Sequence, residues 1–244
     1  MFTWTPDMVA FMRDADSFGG FHRELADALA RLLGKRTHIC DAGCGTGEFA
    51  CALAARYPRV TAVDISPLAT TQARMRTAQL GLENVNVVQG DILVCAPKAP
   101  YDAMTFCFFG SIEEILKIGA AQCRGTLAAV MKDYPNHRFS IGTQPLRGHT
   151  AALAATRLGE LGIAYRLEHL TLEMGQPFRS VSDAVRFFKI YSRDENPEKI
   201  TPEAVAQRLR KTGRTDFPLY LPGERKMGIL LIETDNLTDR RMAE

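Results

Sequence analysis

The segment Asp41-Ala42-Gly43-Cys44-Gly45-Thr46-Gly47 carries three glycines at alternate positions, directly after the apolar run THICDA and directly before a helix-period stretch. Alternate glycines permit positive φ and bring bare backbone against a ligand, so a loop of this kind between a strand and a helix predicts a binding loop. Its amides and the helix amino terminus behind it suit a polar or negatively charged group. Asp41 adds an acceptor suited to an ammonium. A turn that only has to let strand and helix pack closely needs one glycine, not three and an aspartate.

The loop opens a rhythm in which short apolar runs alternate with helix-period segments, the pattern of parallel strands joined by crossover helices. Strands are expected at 37–43, 60–65, 85–89, 101–108 and 126–131, and helices at about 47–56, 67–80, 111–121 and 150–161. Pro67 suits a first helical position, Gly81 suits a left-handed stop, and Gly162 ends the helix over 150–161. The alternating run 164–174 and the apolar run 226–234 predict an antiparallel pair closing a doubly wound sheet. Two pieces break the rhythm. Residues 1–36 read as an N-terminal helical cap with helices near 6–15 and 18–33. Residues 177–222 read as an inserted helical lid, with one helix over 182–191 capped by Ser182 and another over 202–211 capped by Thr201. The α/β domain is then 37–176 with 223–244.

The chain's 244 residues suffice for one such domain with an insertion. Thirty Lys and Arg against 28 Asp and Glu leave a formal charge of +2, too small a field to bind nucleic acid by itself. No apolar run approaches the roughly 20 residues that cross a bilayer, and the first residues lack a basic segment followed by an apolar one, so a cytoplasmic location without a membrane is expected. The six cysteines sit in apolar stretches without C-x-x-C spacing, which predicts reduced core residues and no metal site.

Two further aspartates follow successive strands. Asp64 ends the second strand, where an acidic side chain of this fold reaches both hydroxyls of a ribose. Asp91 follows the third and can accept from the exocyclic amine of an adenine. Gly45-Thr46-Gly47-Glu48-Phe49-Ala50 also fits the looser dinucleotide fingerprint G-x-G-x-x-A, so spacing alone leaves a nicotinamide cofactor open. Against it stand Asp41, Glu48 and Asp91, whose charges would repel a diphosphate and suit a ligand with a positive centre.

DAGCGTGEFA, VDISPLA, GDIL and YDAMTFCFFG together resemble the successive motifs of the class I S-adenosylmethionine-dependent methyltransferases, over roughly residues 37–132. The resemblance implies a Rossmann-like seven-stranded sheet with a reversed last hairpin, S-adenosyl-L-methionine as cofactor, and methyl transfer from its sulfonium. Residue by residue it implies that Asp41, Ala42, Gly43, Cys44 and Gly45, with the loop amides, hold the methionine moiety. Asp64 would hold the ribose with Ile65 beside the adenine, Asp91 and Ile92 would frame the base, and Phe106 and Cys107 would line the cofactor from the fourth strand.

The acceptor side is less determined. Displacement at a sulfonium mainly needs positioning, so no catalytic side chain is named; His22, Lys132, Tyr134, His137 and His149 are the titratable groups expected near the mouth. Trp4, Phe11, Phe18, Phe21, Phe178, Phe187, Phe188 and Tyr191 read first as packing of amphipathic helices, and secondly as a partly apolar acceptor pocket. Where members that methylate nucleic-acid bases often carry an Asn/Asp-Pro-Pro-Tyr-like tetrapeptide, this chain has Phe106-Cys107-Phe108-Phe109-Gly110. A small, partly apolar methyl acceptor is therefore expected. The alternatives are an NAD(P)-dependent oxidoreductase and a non-catalytic S-adenosylmethionine-binding sensor or partner protein.

Overall fold

A computed structural model describes residues 3–145, 148–194 and 196–238. Two helices, α1 (Pro6–Phe18) and α2 (Phe21–Leu33), precede the sheet. Thr5 caps α1 by accepting from the Met8 N–H, and Pro6 occupies its first position, where a missing N–H costs nothing. In α2, Leu25, Leu29 and Leu33 recur at helical spacing and are buried to 0%, 0% and 3% exposure. Truncating Leu29 to Ala would therefore cost about 2–5 kcal/mol.

The alternating pattern follows as β1 (His38–Ala42), α3 (Glu48–Ala54), β2 (Arg59–Asp64), α4 (Pro67–Gln79), β3 (Val85–Gln89), β4 (Tyr101–Cys107), α5 (Ile112–Gln122), β5 (Cys123–Lys132), α6 (Ala151–Glu160) and β6 (Arg166–Glu173). The insertion comprises β7 (Gln176–Phe178), α7 (Val181–Tyr191), a 3-10 turn at Pro197–Lys199, α8 (Pro202–Ala206), β8 (Arg210–Lys211) and β9 (Leu219–Leu221). Strand β10 (Glu224–Glu233) and the short α9 (Asp235–Thr238) close the described chain.

Seven strands form one sheet in the order β3-β2-β1-β4-β5-β10-β6. The pairings among β1 to β5 are parallel, and β10 alone runs against both neighbours, β5 and β6. The expected doubly wound sheet with a reversed last hairpin is therefore present. One core lies on the face covered by α2 and α3, with Leu25, Leu29, Leu53, Val60 and Ile229. The other lies under α5 and α6, with Met104, Phe106, Ile115, Leu127 and Leu158.

The insertion departs from expectation in two places. Its first helix is capped by Ser180, whose hydroxyl accepts from the Asp183 N–H, and not by Ser182. The helix expected over 202–211 ends at Ala206; Arg210–Lys211 is drawn into a small sheet of order β7-β9-β8 by antiparallel pairing with β9. Phe11 of α1 meets Phe187 edge-on at 5.2 Å and Phe178 at 6.2 Å, so these aromatics, with Phe188, form a third core joining α1 to the insertion. Most of the expected aromatic lining is spent on that packing.

Candidate active site

Loops following β1, β2, β3 and β4 meet along the carboxyl edge of the sheet, where an open α/β sheet offers a ligand crevice. The glycine loop leaves β1 with Gly43, Gly45 and Gly47 at φ of 70°, 54° and 85°, all in the left-handed region. The loop amides are not free, contrary to expectation. Gly43 and Cys44 donate to the Val63 carbonyl at 2.8 and 3.0 Å, Gly45 to Asp64 Oδ2 at 2.8 Å, and Gly47 to the Cys44 carbonyl at 3.1 Å. The bend closes on the end of β2 with its own hydrogen bonds, so what it offers a ligand is glycine Cα surface rather than four N–H donors.

Asp41, in β1, is 1% exposed. Its Oδ1 accepts from the Thr105 hydroxyl at 3.2 Å, and its Oδ2 is buried without a partner. Burial pushes this carboxyl up to about 7, with the Asp64 and Glu48 charges adding to the rise and Thr105 opposing it. A half-satisfied buried carboxylate is costly unless a cation joins it.

The other expected residues fall along the same edge. Ala42 is buried at the end of β1, and Cys44 is buried with its thiol against the Gly45 carbonyl. Asp64 accepts from the Gly45 N–H and, through Oδ1, from Ser66 N–H at 2.9 Å, which ties the ends of β1 and β2 together and leaves further lone pairs. Ile65 beside it is 41% exposed, an apolar side chain open to a flat partner. Asp91 Oδ1 caps its own turn by accepting from Leu93 N–H at 2.9 Å. Ile92 is buried in the core beneath it, as is Phe106 in β4, while Cys107 is half-buried at the end of that strand.

Glu48 plays a different part from the one the sequence suggests. It accepts from Thr46 Oγ1 at 2.5 Å and pairs with Arg76 at 2.8 Å; Arg76 also bonds Asp16 at 2.9 Å, and Asp16 bonds His22 at 2.8 Å. Its charge is compensated within a network that fastens α1 and α2 to α3 and α4, and His22 belongs to that network.

Two aromatic rings lie on the glycines. A Cβ built at Gly43 would fall 2.3 Å from the Phe109 ring, and one at Gly45 would fall 2.8 Å from Trp4. The backbone after β4 bends sharply to deliver Phe109, with Phe108 at φ 55° and Gly110 at φ 79°. The signal for Phe109 was in the sequence, in the run of aromatics where other members carry a different tetrapeptide.

At the far side of Phe108 lies a group of cations. The Arg225 guanidinium stands 3.7 Å from the Phe108 ring centroid. Its field and that of Arg193 act on Lys132, whose pKa is lowered first by burial and then by these two charges. His137, hydrogen-bonded to Ser140 Oγ at 3.0 Å, is likewise lowered by burial and by Arg193, Lys132 and Arg138. Sequence reasoning named Lys132, Tyr134 and His137 but missed Arg138 and Arg225. Strand β10 brings Arg225 to this place, pairing with β6 at Arg225↔Leu172 and with the end of β5 at Met227↔Lys132. His149 lies apart, in a groove of about 320 Å³ with Ser111, Met131 and Leu153.

Comparison with known proteins agrees with this geometry. Residues 39–131 match the profile of a methyltransferase domain. The chain is 30% identical over 181 residues to a trans-aconitate 2-methyltransferase of Paracidovorax citrulli, covering 67% of this chain and 66% of that protein. By these matches the chain is similar to the class I S-adenosylmethionine-dependent methyltransferases. A trans-aconitate 2-methyltransferase of Deinococcus radiodurans is 35% identical over 92 residues, 37% of this chain and 33% of that protein. The matches thus span just under two thirds and one third of these relatives. The fold is shared by the YcgJ protein of Bacillus subtilis, at a TM-score of 0.58 and 17% identity, over 88% of this chain and 99% of that one.

Proposed function

We propose that this chain transfers a methyl group from S-adenosyl-L-methionine to a small molecule bound beside the glycine loop. The observation that carries the reading is the unpartnered Oδ2 of buried Asp41 directly before that loop. A cationic amino-acid tail would supply the missing partner. In this reading Gly43 and Gly45 allow close approach of the methionine moiety, and Ala42 and Cys44 carry the backbone on either side of Gly43. Asp64 takes the ribose hydroxyls with lone pairs its backbone donors leave free. Exposed Ile65 lies against the adenine, Asp91 accepts from its amine above buried Ile92, and Phe106 and Cys107 form the floor. Trp4 and Phe109 must turn off the glycines for that ligand to seat.

When bound, the cofactor supplies an electrophilic methyl group, and the acceptor's lone pair forms the new bond as the carbon–sulfur pair leaves on sulfur. The chain's own work is to bind, orient and exclude water, with residues 1–36 and 177–222 as cap and lid over the α/β domain.

A diphosphate cofactor is disfavoured by the committed amides of Gly43, Cys44, Gly45 and Gly47, which leave the bend few donors for phosphate oxygens. Calorimetry with S-adenosylhomocysteine, NAD and NADP tests the choice, and binding of NAD or NADP but not the sulfur nucleoside would overturn it. Turnover distinguishes an enzyme from a sensor. Trans-aconitate is the first acceptor to assay, because two relatives carry its name.

A further inference from the structure

Lys132 pairs across the sheet with Met227, two positions along β10 from the Arg225 that stands on Phe108; Arg138 reaches the Gly223 carbonyl just before that strand, and the Arg193 N–H donates to Ser140 Oγ two residues beyond Arg138. Among the described residues none of the four has a carboxylate within ion-pair distance. Their hydrogen bonds go to neutral groups or to none. Arg138 Nη2 donates to the carbonyls of Met174 at 2.6 Å and Gly223 at 2.8 Å. Arg225 lies between the rings of Phe108 and Phe21, with its Nε buried and unpartnered. Lys132, half-buried at the end of β5, makes no side-chain hydrogen bond among the described residues.

The nearby acids are engaged elsewhere. Asp194 accepts from Ile141 N–H, Gly142 N–H and the Ser192 hydroxyl, and Glu173 accepts from the Tyr220 hydroxyl and Gly223 N–H. Asp133 pairs outward with His169 at 2.7 Å. Like charges gathered at a partly desolvated edge repel one another and lose hydration, so an arrangement of this kind is poised for an anion. The place is also close to the proposed donor. Arg225 and Asp41 both act on the Cys107 thiol, and Phe108 links the cations to Phe109 on Gly43.

We infer that Lys132, Arg138, Arg193 and Arg225 form an anion subsite that holds the methyl acceptor, and that the acceptor is a small molecule with more than one carboxylate. The cations come from the end of β5, the loop after it, the segment after α7 and the start of β10, so they are spread to meet separate anionic groups rather than one. The assignment rests on the proposed methyltransferase reading for the acceptor's role, but the subsite itself does not need the cofactor.

Calorimetry of the full chain with trans-aconitate and with its neutral trimethyl ester, each with and without S-adenosylhomocysteine, tests it. The acid should bind and the ester should not. Lys132→Met and Arg193→Gln should each weaken the acid by about tenfold or more, as expected for loss of a charge-assisted contact, while leaving S-adenosylhomocysteine affinity within about twofold. That second affinity reports that the variants are folded. Equal binding of acid and ester, no saturable binding of the acid, or competition by inorganic phosphate at equal concentration overturns the polycarboxylate subsite. If the acid binds and Lys132→Met weakens it, yet S-adenosylhomocysteine does not bind the wild type, the subsite stands and the methyltransferase proposal falls.

Discussion

Asp41→Asn separates what the apo fold wants from what the ligand wants. The folded carboxyl is raised from 3.8 to about 7, chiefly because burial disfavours its charge. A raised acid pKa means the native state holds its proton more tightly than the unfolded chain. The resulting cost is absent at low pH, grows as pH rises from about 4 to about 7, and is constant above. At about 1.4 kcal/mol per unit, the full cost of the ionised form comes to ~4 kcal/mol, an upper figure because relaxation and water reduce it. Asparagine is isosteric, carries no charge, and keeps an oxygen for Thr105. The variant should therefore unfold at a higher temperature than the wild type at about pH 8, by on the order of 10 °C for a chain of this size, with the gap shrinking as pH falls toward 4. S-adenosylhomocysteine affinity should fall by about 1.5–3 kcal/mol, since the charge-assisted bond to its ammonium is lost. Scanning calorimetry at several pH values checks the first part and titration the second. A variant less stable than wild type at pH 8, or a stability difference independent of pH, would refute the argument that this carboxylate is held unsatisfied for a cation.

Asp64→Ala should weaken S-adenosylhomocysteine by about 1–3 kcal/mol, because it removes both the proposed ribose acceptor and the oxygen that fixes Gly45 N–H; unchanged affinity takes Asp64 out of that role. Phe109→Ala uncovers Gly43 and should tighten the same ligand by about three- to tenfold, the fraction of closed chains no longer having to open; weaker binding would mean the ring is part of the site. Arg76→Met leaves Glu48, 5% exposed, with only Thr46 as partner, and should cost about 3 kcal/mol in denaturant unfolding; a loss below about 1 kcal/mol would mean water takes the guanidinium's place.

The layer order was legible because each apolar run and each turn residue pointed the same way. The apolar run before Gly43, Pro67 at the start of its helix, left-handed Gly81 and the helix end before Gly162 are local signals, and all held; the structure adds Ser66 as the cap before Pro67. The insertion was read less well. Arg210 and Lys211 continue a helical pattern, yet pairing with Leu219 and Tyr220 makes them a strand, a competition that no local pattern records. Glu48 was read as a charge facing the ligand because Arg76, 28 residues later, could not be seen to neutralise it.

The amino-acid string alone determined the sheet's winding, the glycine bend and the three aspartates at the carboxyl ends of successive strands, because these depend on backbone permissions and periodicities a few residues long. Only the tertiary structure decided that the bend's amides are consumed by Val63 and Asp64, that Trp4 and Phe109 cover its glycines, and that Lys132, Arg138 and Arg225 share one edge. Apart from Lys132 and Arg138, which are near in sequence, these facts join groups about 19 to 93 positions apart, and a contact of that reach is set by how strands pair and helices pack, not by neighbours in the chain.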